Sequence, residues 1–170
     1  PPSQPTITLG PTPANTSSTL SCQASSNDPD GQTITYLYQW YQGSVLTSFV
    51  NSSLPSTATA KNQTWTCVVT PDDGISEGLS GSASITIENS SPVITSTTIQ
   101  PGSNVTATDT LTCMVSSTDA DAEALNTSYV WTHNGNVVGS SQDLDLTTLN
   151  AQYGDSFVCT ATVTDSDGAT

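Results

Sequence analysis

The chain has 170 residues, of which fifteen are Asp or Glu against a single strong base, Lys61, for a formal net charge of -14. A surface of that sign repels phosphate backbones and anionic headgroups, which argues against nucleic acid and acidic membrane as partners. Hydrophobic residues are only 34% of the sequence, but they fall in alternating runs, so the chain reads as folded β domains with lean cores rather than as a disordered tail.

From the N-terminus, short alternating stretches bounded by Gly, Pro, Asn and Asp predict strands over 6–9, 19–24, 34–42, 45–50, 54–58, 64–70 and 82–87. Residues 88–92, Glu-Asn-Ser-Ser-Pro, read as a short linker. Further strands are expected over 93–99, 110–116, 128–133, 137–139, 144–149 and 156–163. No stretch carries a sustained helical period, and none approaches the ~20 apolar residues that span a bilayer, so no membrane insertion is expected here. The fold class is therefore all-β.

The second half repeats the first. Cys22 and Trp40 recur 91 residues later as Cys113 and Trp131, and Cys67 recurs after 92 as Cys159. Thr19-Leu20-Ser21-Cys22 answers Thr110-Leu111-Thr112-Cys113. A period this long is a repeated domain, not a solenoid unit, and it divides the chain into domains over 1–88 and 89–170. After Asp73-Gly74 the first copy continues through 82–87, whereas after Asp167-Gly168 only Ala169 and Thr170 remain. The second copy is thus expected to lack its last strand, which is either cut from a longer array or supplied by a neighbouring chain.

The four cysteines form two similarly placed pairs, 45 and 46 residues apart. A small β core gains ~2–4 kcal/mol from a cross-link of this kind. Such cysteine usage implies an oxidising compartment and hence an extracellular or cell-surface location.

Cys22, Trp40 and Cys67, repeated as Cys113, Trp131 and Cys159, resemble the Cys, Trp, Cys core of immunoglobulin domains. The resemblance covers nearly the whole chain and implies two tandem Greek-key β-sandwiches. It also implies disulfides Cys22–Cys67 and Cys113–Cys159, with Trp40 and Trp131 packed in the cores. The pattern departs from antibody-like domains two residues before the second Cys, where Trp65 and Phe157 replace Tyr. The acidic loops of residues 27–31 and 118–122 and the turn 71–74 are similar to those of immunoglobulin-like repeats in large bacterial and archaeal surface proteins.

Those loops are the main polar feature. Hard cations take six to eight oxygens, and Asp-x-Asp spacing aims two carboxylates at one point. In an immunoglobulin-like fold the loops after the second and sixth strands share an end. Asp28 and Asp30 are then expected near Asp72 or Asp73, and Asp119 and Asp121 near Asp165 or Asp167, with Glu88 completing a site at the junction. Calcium is the cofactor that pattern admits; the competing reading is that Asp and Gly merely form turns. Six sequons, at Asn15, Asn51, Asn62, Asn89, Asn104 and Asn126, are candidate glycosylation sites.

Catalysis has little to build on. His133 is the only histidine and is expected at an exposed strand end, with no serine assignable to it. Two Cys per domain without a neighbouring His do not read as a zinc site. The carboxylates sit in repeated turns rather than one cleft. Lys61 is matched in the second copy by Tyr153, which argues against a shared Lys–Asn cross-link. The chain is expected not to be an enzyme. The leading reading is a structural or adhesive module of an extracellular filament, stalk or adhesin, whose partners are copies of itself or other surface proteins and glycans. The alternative is a glycan- or protein-binding accessory module, for which Trp65, Tyr36 and Tyr41 are the candidate aromatic platform.

Overall fold

The computed structural model describes residues 1–170, in two compact units, Pro1–Ser90 and Ser91–Thr170. Asn89 and Ser90 stay with the first unit: Lys61 Nζ donates to Asn89 Oδ1 at 3.3 Å, and Ser90 is buried. All the regular structure is strand except two single 3-10 turns. No helix is long and apolar enough to cross a membrane.

Unit 1 consists of β1 (Thr6–Gly10), β2 (Ala14–Asn15), β3 (Leu20–Ser25), β4 (Thr35–Gln42), β5 (Val45–Leu46), β6 (Ser53–Leu54), β7 (Thr64–Asp72) and β8 (Gly81–Glu88). They form a three-stranded sheet, β1-β3-β6, and a five-stranded sheet, β2-β8-β7-β4-β5. Alternation explains the core between them. Along β7, Trp65, Cys67, Val69 and Pro71 are buried in turn, the period of two that points every second side chain inward. Trp65, Cys67 and Val69 meet Leu20, Cys22 and Leu54 from the other sheet, with Trp40, Ala14 and Ile87 closing the cluster. β8 lies so close to the segment entering β1 that a Cβ on Gly81 would come within 2.5 Å of the Pro5 carbonyl oxygen. Only glycine fits there.

Unit 2 consists of β9 (Val93–Gln100), β10 (Thr110–Thr118), β11 (Asn126–His133), β12 (Asn136–Gly139), β13 (Asp143–Asp145) and β14 (Phe157–Thr164). Its sheets are β13-β10-β9 and β12-β11-β14. The hairpin β11–β12 turns on Asn134 and Gly135, both at positive φ (49° and 84°), the conformation a two-residue turn matched to strand twist demands. Its smaller core gathers Leu111, Cys113, Trp131, Leu144 and Leu146.

The two units share a frame. Both disulfides are formed, Cys22–Cys67 joining β3 to β7 and Cys113–Cys159 joining β10 to β14, so each ties one sheet of its unit to the other. Trp40 stands opposite Cys67 in register and Trp131 opposite Cys159. Each buried indole keeps its N–H satisfied: Trp40 Nε1 donates to the Asn51 carbonyl at 2.8 Å, and Trp131 Nε1 to that of Ser141 at 3.0 Å.

Three expected strands are shorter than the alternation suggested. After β5 the chain peels away because the amide and hydroxyl of Thr47 both donate to the Trp40 carbonyl, at 2.9 and 2.8 Å. The stretches 54–58 and 144–149 begin as strand and end as 3-10 turns, Ser56–Ala58 and Leu146–Thr148. Pro55 has no N–H to give a ladder. The Asp145 carboxylate caps the second turn, accepting from the Thr147 amide at 2.9 Å.

Candidate functional site

Two features stand out as candidate sites: the acidic loops, and the outer edge of β14. The acidic loops recur in both units with the same construction. In unit 1, Asp28 Oδ1 accepts from the amides of Asp30 (2.9 Å) and Gln32 (3.3 Å). In unit 2, Asp119 Oδ1 accepts from the amide of Asp121 at 2.7 Å. Both are Asx turns, in which the carboxylate folds the loop around itself. The other oxygen of each, Asp28 Oδ2 and Asp119 Oδ2, is buried and has no hydrogen-bond partner. A carboxylate oxygen so placed is costly, and its recurrence at matching positions sets these two residues apart from the other acids.

The turns after β7 and β14 also repeat. Asp73 Oδ1 accepts from the amides of Ile75 (2.8 Å) and Ser76 (2.7 Å), and these backbone donors, Ser76 first, hold its carboxyl below the usual carboxylate range. Asp72 Oδ1 takes the Gly74 amide at 2.8 Å. In unit 2, Asp165 is buried and accepts from the amides of Asp167 (3.0 Å) and Ala169 (2.8 Å). The loop after β10 reaches this turn through Ser166, whose hydroxyl donates to Glu123 Oε2 at 2.8 Å. Asp30 is exposed, and Glu88 is exposed at the end of β8. No three His, Cys, Asp or Glu side chains converge as a metal-holding group. Asp28, Asp72, Asp73, Asp119 and Asp165 each accept at least one backbone N–H, so their oxygens serve first as turn acceptors.

Of the sequon asparagines, Asn51, Asn62, Asn104 and Asn126 are exposed. Asn15 is half-buried, its side chain accepting from the Ser17 amide and the Ser18 hydroxyl, and Asn89 is half-buried against Lys61. The aromatic platform loses its largest member. Trp65 is 2% exposed and donates from Nε1 to Gln63 Oε1 at 3.0 Å, because the inward register of β7 carries it into the core. Tyr36 and Tyr41 are half-buried, and the Tyr36 hydroxyl accepts from the Ser26 amide.

His133 is not the exposed strand-end residue its position suggested. It ends β11, but its side chain is only 18% exposed, stacks on Phe157 with ring centroids 4.5 Å apart, and places Nε2 2.8 Å from Asp155 Oδ2. Asp155 also accepts from Asn134 Nδ2 and the Gln152 amide, both at 2.8 Å. The Asn134 bond first, then Gln152 and His133, pull its pKa down to about 2. This cluster fastens the loop before β14. Sequence spacing gave no sign of it, since the partners lie 22 residues apart, one at the end of β11 and the other in the loop before β14.

The edge of β14 is the second feature. In unit 1, β7 is paired on both sides, by β4 and β8. In unit 2, β14 is paired only by β11, and its other edge borders two depressions. One, of about 590 Å³, is lined by Ile99, Val105, Leu111, Leu146 and Phe157 among others; the second lies beside Val93, Ala161 and Val163.

No protein-family profile and no curated protein sequence matches the chain.

Proposed function

We propose that the chain is a structural or adhesive module of an extracellular filament, stalk or surface adhesin, built from two tandem immunoglobulin-like sandwiches. The observation that carries this reading is the duplicated core: in both units a disulfide joins the two sheets beside a buried tryptophan in register with its second cysteine. A fold of this type serves many functions, so the role must come from the features around it. Here those are an acidic surface with one lysine, turns rigidified by their own carboxylates, and covalent staples that survive transient unfolding. They suit a part that projects, links and bears load. The glycan-binding alternative is weakened by the burial of Trp65.

Calcium is the ion proposed to rigidify this module. Asp28 and Asp119 would hold it through their unpartnered Oδ2 atoms, with remaining oxygens from backbone carbonyls and water. The ion would supply charge neutralisation among fifteen carboxylates and select the folded loop.

The test is single-molecule pulling on the whole chain. Two separate unfolding events are expected, and reduction should lengthen each by ~160 Å, the extended reach of the residues each disulfide encloses. A single event, or two whose lengths ignore reductant, would remove the mechanical reading. Loss of load resistance with retained, saturable glycan binding would favour the accessory-module alternative.

A further inference from the structure

Charge in unit 1 is confined to the ends of its strands. Asp28 and Asp30 lie in the loop after β3, Asp72 and Asp73 where β7 ends, and Glu77 and Glu88 before and at the end of β8. Lys61 lies in the loop before β7, and the four sequon asparagines of the unit all fall outside β4, β7 and β8. The outer face of the five-stranded sheet is left neutral between these rims. Alternation sends Trp65, Cys67 and Val69 of β7 inward, so Thr64, Thr66, Val68 and Thr70 face out. Register sets Leu46, Tyr41, Thr66 and Ser84 in one cross-strand row and Gln39, Val68 and Ser82 in the next.

Two properties suit this face to contact. Its hydroxyls bond one another: Thr66 pairs with Ser84 and Thr70 with Ser80, both at 2.8 Å, and Thr64 with Thr86 at 3.2 Å. Hydroxyls already paired lose less on leaving water and are held in place, which lowers the desolvation and the entropy cost of covering them. The face also carries exposed aliphatic groups, Leu37 at 50% and Leu46 at 53%. The outer face of the β1-β3-β6 sheet is uncharged as well, with Thr6, Thr8, Ser21 and Gln23 exposed, but no large hydrophobic residue is exposed on it.

We propose that the outer face of β5-β4-β7-β8 is a docking surface for the same face of a second copy of this chain, the two sheets packing about 10 Å apart. Charge selects this occupant. A cationic partner finds its counter-charges at the strand ends and none on this face. A second copy carries the same net charge of -14, so an approach through the acidic ends sets carboxylate against carboxylate. Two neutral, partly apolar faces need no charge match, and a two-fold pair brings the patch onto itself. The inference stands on the distribution of charge in unit 1, independently of the mechanical role proposed above.

The whole chain is followed by sedimentation equilibrium as sodium chloride is raised from about 0.01 to about 1 M, which shortens the reach of charge from ~30 to ~3 Å. A monomer–dimer equilibrium that tightens with salt is expected, because screening removes the general repulsion and breaks no ion pair in the contact. Leu37→Asp and Ser84→Asp, both at exposed side chains, each put a carboxylate on both halves of the contact and should weaken association at least ~10-fold. Gln23→Asp, on the outer face of the other sheet, should leave it unchanged. Amide NMR shifts that move on dilution should map to β4, β5, β7 and β8. A chain monomeric at millimolar concentration throughout the salt series, association that weakens with salt, Gln23→Asp acting as strongly as Leu37→Asp, or shifts that fall outside those strands would each overturn the proposal.

Discussion

Units 1 and 2 carry the same disulfide, the same buried tryptophan and the same acidic turns, yet unit 1 buries nine hydrophobic residues in its main cluster and unit 2 buries five. The difference is one strand pair. β8 and β2 contribute Ile87 and Ala14 directly and cover Trp65, Cys67 and Val69, and unit 2 has no equivalent of either strand among its six. Shared motif residues thus determine how a sheet pair is joined. How dry the core becomes depends on whether the edge of β14 is covered.

The largest effect should come from opening the disulfides one at a time. Each closes a loop of 45 or 46 residues, worth ~4 kcal/mol on a chain-entropy estimate. Cys113→Ala with Cys159→Ala should leave unit 2 unfolded at room temperature, since little core remains to hold it. Cys22→Ala with Cys67→Ala should leave unit 1 folded with a lowered midpoint. Denaturant titration followed by Trp40 and Trp131 fluorescence in single-tryptophan variants separates the units; equal responses would remove the contrast between them.

Truncating the covering strand is the next largest. Ile87→Ala should cost unit 1 about 2–4 kcal/mol, because Ile87 is fully buried. Val105→Ala, at the counterpart of its neighbour Ala14, should cost unit 2 less than ~1 kcal/mol. Both are read from urea midpoints.

Calcium should then stabilise both units alike, since the orphan carboxylate oxygen is common to them. At tenfold excess over the dissociation constant the gain is ~1.4 kcal/mol. Calorimetry should show Asp28→Asn abolishing the shift in unit 1 alone and Asp119→Asn in unit 2 alone. A shift that survives both substitutions would leave the Asx-turn role as the whole function of these residues.

The smallest effect is expected from acid. The Asp155 carboxyl titrates near pH 2 in the folded unit, below its value in an unfolded chain, because Asn134, Gln152 and His133 bond its ionised form. Its contribution is therefore complete above about pH 4, the usual aspartate range, and is lost as pH falls toward 2. Asp155→Asn should flatten the acid dependence of unit 2 over that window and leave unit 1 unaffected, as read from pH titration of thermal midpoints.

The sequence made some of this legible and hid the rest for physical reasons. Period-two alternation exposes a strand whenever one face is buried, so β3, β4, β7, β10, β11 and β14 were readable within a few residues. β2 was not, because two residues directly after Pro13 carry no period and are strand only through parallel pairing to β8. Trp65 was misread as a surface aromatic since its burial depends on the same β8. The Asp28 and Asp119 loops were recognisable as acidic turns, but composition could not show that one oxygen of each is left unpartnered. The His133–Asp155 contact joins the end of β11 to the loop before β14, 22 residues on, and leaves no local signal.

The central claim, that one frame is closed in unit 1 and open along β14 in unit 2, is tested most directly by native-state amide exchange on the unliganded chain. β7 amides facing β8 should exchange only with global unfolding of unit 1, whereas β14 amides on the outer edge should exchange through local opening, with little dependence on low concentrations of denaturant. Equal, globally limited protection of β7 and β14 would contradict the account.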